Sequence, residues 1–244
     1  MVKNRGGYFE RYRKFISIMR VPAYRRILRR FSVAAAIEHE HVLGALTCRM
    51  VLDIGANRGQ FALVVRRSFP KARIISFEPL PVPAGTFRKM FEDDPQVTLH
   101  EAAVGPVSGN ATIHISRRDD SSSLLPITGT QVALFPGTAE ADTATVHVAP
   151  LREFVSVSDI RPPALLKLDV QGYELEVLRG CEDLLNRFTY VYAECSFVEL
   201  YAGQALADEV IAWLRERGFK LRGVHNMDYD RGGRAIQADF LFGR

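Results

Sequence analysis

The stretch Met50-Val51-Leu52-Asp53-Ile54-Gly55-Ala56-Asn57-Arg58-Gly59 sets an apolar run directly against a loop of small residues. Val51, Leu52 and Ile54 suit a strand buried on both faces of a parallel sheet. Gly55, Ala56 and Gly59 then let the backbone approach a bound molecule closely, and Gln60 to Phe69 continues with helical spacing. Strand, glycine-bearing loop and helix together form the first turn of a doubly wound α/β sheet, where ligands bind outside the carboxyl ends of the strands. The loop departs from the dinucleotide pattern G-x-G-x-x-G, because Gly55 and Gly59 are four apart with Asn57 between them. Asn tolerates the left-handed conformation that a middle glycine would otherwise supply.

Two carboxylates narrow the ligand. Asp53, still inside the strand, would repel a diphosphate and suits a hydrogen-bonding anchor for loop amides or for a ligand's ammonium group. Arg73 to Phe77 reads as the next strand and ends at Glu78-Pro79. That is about 20 residues beyond the loop, where nucleoside-binding folds place the acid that grips the ribose hydroxyls. A nucleoside without phosphates is implied, and S-adenosyl-L-methionine fits.

The motifs Asp53-Ile-Gly-Ala-Asn-Arg-Gly59, Phe77-Glu-Pro79, Ala103-Val-Gly105, Ser121-Ser-Ser123 and Lys167-Leu-Asp-Val-Gln-Gly-Tyr-Glu174 occur in this order. Over roughly residues 50 to 200 the chain thereby resembles the FkbM-type methyltransferases. The first and last motifs are specific at this spacing, whereas the others are weak alone. Two departures, Gln171 where the family usually has Glu and Tyr173 where it usually has Ala, bear on the acceptor rather than the cofactor. The resemblance implies a class I methyltransferase (Rossmann-like) doubly wound sheet, mostly parallel with an antiparallel last strand. It also implies that Asp53, Gly55, Asn57, Gly59, Glu78, Ala103 and Val104 bind the cofactor and that Ser121, Ser122 and Ser123 face the site.

A chain of 244 residues is long enough for one well-buried α/β domain and too short for two large ones. No apolar run approaches the ~20 residues needed to span a bilayer, and the basic amino terminus leads into no continuous apolar core of a secretory signal. Cys48, Cys181 and Cys195 form no C-x-x-C pair, which argues against a disulfide framework or structural zinc and for a reducing, cytoplasmic setting. Cys195, in an apolar strand, reads as core.

Charge is unevenly distributed. Residues 1 to 30 hold ten Lys or Arg against the single acid Glu10, a net of +9, so a chain of total charge +4 is net −5 elsewhere. This describes a mildly acidic domain with a basic arm rather than a globally basic nucleic-acid binder. We divide the chain into an arm over 1–46 and a methyltransferase domain over 47–244. Phe9, Tyr12, Phe15, Ile16 and Met19, and after Pro22 Tyr24, Ile27, Leu28 and Phe31, recur at helical spacing. Two short amphipathic helices follow from this, either resting on an anionic membrane surface at the inner face or packing their aromatic side on the domain. His39, Glu40 and His41 fall in an expected helix from Val33 to Leu46 and read as surface residues, since positions two apart do not share a helical face.

Further on, Phe87, Met90 and Phe91 mark a crossover helix and Val97 to Val104 a third strand, whose Ala103 and Val104 leave room for a flat adenine. Ala111 to Ser116 and Thr143 to Val148 alternate as a small inserted antiparallel β pair. The stretch 117 to 142 between them has the length of a lid, a binding loop or a disordered segment. Ala164 to Leu168 is apolar except for Lys167 and ends at Asp169, a carboxylate aimed into the crevice. Glu174 suits the first turn of the next helix, where the helix dipole favours an acid. Tyr190 to Ala193 ends at Glu194. A helix around Trp213, a strand at Phe219 to Val224, a turn region from Asn226 to Gly233 and a last strand at Ala238 to Phe242 complete the chain.

Methyl transfer from a sulfonium is an in-line displacement, so the acceptor oxygen must be held near the methyl carbon and water excluded. A sugar or alkyl hydroxyl is a weak nucleophile, and a carboxylate that takes its proton assists. Asp169 is the first catalytic candidate and Glu194 the second. Alternatively the pair holds Mg²⁺. The expected acceptor is a small molecule or a lipid-linked sugar such as a glycolipid. An amino-directed nucleic-acid methyltransferase would carry an Asp/Asn-Pro-Pro-aromatic loop, which Asp169-Val-Gln-Gly172 is not, so no nucleic-acid partner is expected. The alternatives are an RNA or other macromolecule methyltransferase whose basic arm binds RNA, and a non-catalytic nucleoside-binding protein.

Overall fold

A computed structural model describes residues 8–244, with side chains from Tyr12 onward. Lys3 and Arg5, and the side chains of Phe9, Glu10 and Arg11, therefore lie outside the described residues.

The expected strand–loop–helix unit forms from the expected residues. β1 (Met50–Ile54) is buried throughout, α4 (Gln60–Ser68) follows the loop, and β2 (Arg73–Phe77) pairs with β1 in parallel. Ahead of them lie α1 (Tyr8–Arg20), α2 (Pro22–Phe31) and the short α3 (Glu40–Gly44). After β2 come α5 (Pro81–Met90), β3 (Val97–His100), β4 (Ala103–Val104), β5 (Gly109–Ser116), α6 (Gly129–Leu134) and β6 (Glu140–Ala149). β7 (Ala164–Leu168), α7 (Glu174–Gly180), β8 (Tyr190–Ser196), α8 (Ala207–Glu216), β9 (Lys220–Tyr229) and β10 (Ala235–Gly243) close the chain.

Seven strands form one sheet in the order β3-β2-β1-β7-β8-β10-β9. β1, β2, β3, β7 and β8 pair in parallel, whereas β10 runs antiparallel to both β8 and β9. This is the doubly wound, mostly parallel sheet with a reversed last strand that the resemblance implies. Apolar clusters cover both faces, one built on Leu52, Leu166 and Ala193, the other on Val51, Leu165 and Tyr192, as the period of two along a strand requires.

Three local expectations are corrected. The third strand divides, because a bend at Glu101 and Ala102 carries the chain off the sheet edge. Val97–His100 stays on β2, while Ala103 and Val104 pair in parallel with Val148 and Ala149 of the small sheet, where β5 and β6 form the expected antiparallel pair. The expected helix over 33–46 is only a 3₁₀ turn, Ile37–His39, followed by α3. β9 extends into the expected turn region as far as Tyr229, and the last strand starts earlier than expected, at Ala235.

The segment preceding β1 packs into the domain. Ile18, Tyr24, Ile27, Val33 and Leu43 are buried in the same cluster as Val51, Val64 and Val65 of β1 and α4. Pro22 starts α2, where the missing N–H costs nothing, and Ser32 ends it in the left-handed conformation. Its arginines stay outside. The 117–142 segment is likewise built onto the domain, since Leu125, Ile127, Leu134 and Phe135 pack on Val198, Leu200, Tyr201 and Ile236. Thr128 caps α6 through Gln131 N at 3.2 Å.

Candidate active site

A cleft of about 640 Å³ opens where the strand order reverses, at the carboxyl ends of β1, β2 and β7. Gly55, with φ +80, begins its loop, and a Cβ there would collide with the Asp169 carbonyl of the adjacent strand end. Only glycine lets these two backbones meet. Asn57 adopts φ +46, and its Oδ1 accepts from Arg58 N at 2.8 Å and Gln60 Nε2 at 3.1 Å. Gly59, with φ +91, caps α4 against the rings of Phe87 and Phe91.

Glu78 closes the loop from the β2 side. Its Oε2 accepts from Asn57 N at 2.9 Å and its Oε1 from Leu80 N at 2.8 Å, and each oxygen keeps a second acceptor site for the cleft. Burial pushes its carboxyl up to about 7, against the lowering effect of those two backbone donors. Ala103 and Val104 form part of the same wall, with Ala102 and Leu80 beside them.

Asp53 does not reach the cleft. It is fully buried beneath the loop and pairs with Lys167 Nζ, 3.1 Å from Oδ1, rather than with a loop amide. The β1–β7 register sets these two residues side by side. Lys167 also donates to the Gly55 carbonyl at 3.1 Å and lies 3.5 Å from Asp169. Burial alone would lower the pKa of this ammonium, but Asp53 and Asp169 outweigh it and raise it. Desolvation holds the Asp53 carboxyl above its usual range. A lone Lys in an apolar parallel strand has to find a carboxylate, which is the signal that could have paired them.

Asp169 faces the cleft, with Oδ1 accepting from Gln171 Nε2 at 2.8 Å. The same Nε2 donates to Glu194 Oε2 at 3.0 Å, while Gln171 Oε1 accepts from Tyr201 Oη at 2.7 Å. Carboxylates only accept, so the amide orientation follows from its neighbours. Glu194 therefore reaches Asp169 through the amide. Burial and the Asp169 charge raise the Glu194 carboxyl. Gln171 has φ +55 and Gly172 φ +94, a turn held by Glu174, whose Oε1 accepts from Val170 N at 3.0 Å and Gly172 N at 3.3 Å. Burial brings the Glu174 carboxyl to about 7, and it acts as a clamp on the turn.

The three serines divide. Ser122 and Ser123 line the cleft, whereas Ser121 is buried behind it and offers its carbonyl to Tyr201 Oη at 3.0 Å. Ser123 Oγ donates to the Gln171 carbonyl at 2.7 Å. Arg58 forms an ion pair with Asp119, joining the glycine loop to this cover.

His39, expected at the surface, instead lines the cleft. Its Nδ1 lies 3.0 Å from Tyr192 Oη and 3.6 Å from Asp239 Oδ2. His41, two residues on in α3, is exposed as expected, so the spacing argument separates the two histidines without saying which of them turns inward.

The methyltransferase FkbM domain model matches residues 53–221. The chain is 28% identical over 166 residues to the 2-O-methyltransferase NoeI of Sinorhizobium fredii, covering 64% of this chain and 66% of NoeI. Over 195 residues it is 28% identical to the 31-O-demethyl-FK506 methyltransferase FkbM of Streptomyces tacrolimicus, covering 70% and 72%. It also matches the hexuronic acid methyltransferase AglP of Haloferax volcanii at 28% over 153 residues, covering 62% and 55%. The chain thus spans less than two thirds of the length of NoeI and AglP. With the family model covering more than half of the chain, from the glycine loop past the Asp169 turn, the protein belongs to the FkbM methyltransferase family.

Proposed function

We propose that the protein transfers the methyl group of S-adenosyl-L-methionine to a hydroxyl of a sugar, glycolipid or related secondary metabolite. The observation that carries this reading is Glu78, nine-tenths buried at the rim of an open cleft, with an acceptor site free on each oxygen beside the Gly55–Gly59 loop. Paired ribose hydroxyls satisfy that geometry and a diphosphate does not. Bound there, the cofactor supplies a methyl group on a positively charged sulfur. Ala103 and Val104 leave space for the adenine. The 2-O- and 31-O-methyltransferase relatives support an oxygen acceptor, and AglP supports a sugar.

Asp169, at the cleft beside Gly55, is the carboxylate proposed to hold the acceptor hydroxyl. Glu194 acts behind it by fixing Gln171. Asp169→Asn keeps the shape and removes the charge. A charged hydrogen bond contributes about 1.5–3 kcal/mol, so kcat should fall about 10- to 100-fold with cofactor affinity little changed. Full activity would remove Asp169 from the reaction. Activity should also survive EDTA, because Gln171 already bridges the two acids; loss on chelation and recovery with Mg²⁺ would restore the metal alternative.

A lipid-linked acceptor is the version we favour. Tyr12 and Phe15 of α1 are 63% and 52% exposed, beside exposed Arg13 and Arg20, and Arg26 and Arg29 face outward from α2 with no carboxylate partner among the described residues. Lys14 and Phe31 of the same helices line the cleft. Each basic residue near an anionic membrane contributes about 1 kcal/mol. The double variant Arg26→Glu/Arg29→Glu should therefore reduce flotation with anionic vesicles at least ~30-fold, with neutral vesicles as the control. Unchanged flotation would make these arginines a solvated face. Among the described residues no helix is long and apolar enough to cross a membrane.

A further inference from the structure

The cleft also takes in residues from well before β1. From Leu80 and Ala103 it runs past Gly55 and Asp169 to Ala36, Glu38 and His39, all three in a segment that precedes the residues matched by the family model. This segment therefore walls the end left for the acceptor.

His39 is held there with care. Its ring stands edge-on between Phe61, at 5.2 Å, and Tyr192, at 5.6 Å. Nδ1 lies against Tyr192 Oη, and Asp239 accepts from Asn226 Nδ2 at 2.8 Å while Tyr192 also bonds to it. Burial, followed by the Asp239 charge, raises the pKa of the Tyr192 phenol and keeps it protonated. The phenol proton therefore goes to the Asp239 carboxylate, the phenol oxygen accepts from Nδ1–H, and the imidazole is fixed as the tautomer with its lone pair on Nε2. Nε2 has no hydrogen-bond partner among the described residues. Asp169 is also held, by Gln171 on one oxygen and Lys167 on the other, and each oxygen keeps a further acceptor site.

We propose that His39 is the general base of the reaction, taking the acceptor hydroxyl proton at Nε2. The proposal rests on the methyl-transfer reading given above. As the O–CH₃ bond forms, the O–H and S–CH₃ bonds break, sulfur keeps its bonding pair, and the proton passes to the imidazole. The resulting imidazolium faces Asp239 until solvent removes the proton. Asp169 holds the same hydroxyl in place. The titratable and polar groups that face the ring are Asp239 of β10, Tyr192 of β8, and His225 and Asn226 of β9, with the buried Asp53 of β1 acting on it through space.

The test uses the full-length chain labelled with ¹⁵N-histidine, S-adenosylhomocysteine as the binding probe, and a glycolipid extract with radiolabelled donor for turnover. Wild type should bind the probe by calorimetry, show the Nδ1–H tautomer at His39, and shift the His39 signals on binding. His39→Gln should bind the probe within about 3-fold of wild type, yet lose about 10²–10⁴-fold in kcat. Asp239→Asn should disturb the tautomer in the free protein, a readout independent of turnover. A His39 that carries its proton on Nε2, or a His39→Gln enzyme that keeps its rate, would overturn the proposal. Wild type that binds no S-adenosylhomocysteine would overturn the methyl-transfer reading instead, and the base assignment with it.

Discussion

Lys167→Met is expected to cost about 3–5 kcal/mol of folding stability, the range for removing one partner of a buried ion pair. Lys167 is 4% exposed and Asp53 has no exposed surface, so no water replaces the lost ammonium. For a chain of this size each kcal/mol moves the melting temperature by about 2–4 °C, which gives a fall of about 6–20 °C. The deficit depends on pH in a definite direction. Without Lys167 the folded-state pKa of Asp53 rises further above its unfolded value of about 3.9. Stability is then retained below that value and lost as pH rises toward the folded pKa. Thermal unfolding at pH 5 and pH 8 should show the larger deficit at pH 8. Asp53→Asn combined with Lys167→Met should recover much of the loss, because no buried charge is then orphaned. A single variant melting within 2 °C of wild type would show that the pair contributes nothing to the fold.

The second large effect concerns Glu78. Glu78→Ala removes the paired acceptors for the ribose hydroxyls at roughly 1–3 kcal/mol, or one to two decades of cofactor affinity. It also frees the Asn57 and Leu80 N–H groups that order the loop, so the upper end is expected. Since the carboxyl stands at about 7 and hydroxyl donors favour the ionised form, affinity should rise with pH up to neutrality and level off above it. At pH 6 the wild type should bind about tenfold more weakly than at pH 8, while Glu78→Gln should be flat. Folding stability runs the other way. The folded state retains this proton while the unfolded chain releases it from about 4.5 upward, so this group's contribution declines between about 4.5 and 7. Calorimetry across that range decides the role, and unchanged affinity in Glu78→Ala would remove Glu78 from the cofactor site.

What was legible in the chain was whatever a short stretch decides by itself. β1, β2 and β7 end where the apolar runs end, and the glycines with Asn57 announce the loop because a left-handed backbone admits few residues. Pairings across the sheet were less accessible. Nothing local to Asp53 or Lys167 says that parallel register puts them together, although a lone charge in each of two apolar strands is a strong hint. Val97 to Val104 has strand character throughout, and only the sheet edge decides that its two ends join different sheets. For His39 the spacing rule says only that it and His41 point apart, and which of the two faces inward is decided by Phe61 and Tyr192, far away in sequence. Asn226 and Asp228, polar and turn-forming in composition, sit inside β9 and serve side-chain networks with Asp239 and Gln237.

The Arg58–Asp119 ion pair gives the two halves of the cleft a shared thermodynamic fate. Arg58 follows Asn57, whose N–H rests on Glu78, and its guanidinium grips the segment carrying Ser122 and Ser123. Whatever steadies the loop steadies the cover, and linkage makes that effect reciprocal: the factor by which donor improves acceptor affinity is the factor by which acceptor improves donor affinity. An acceptor offered to the empty protein meets an unsteadied cover and binds at its weakest. Ligand screens run with S-adenosylhomocysteine present thus sample the form of the cleft that the acceptor recognises.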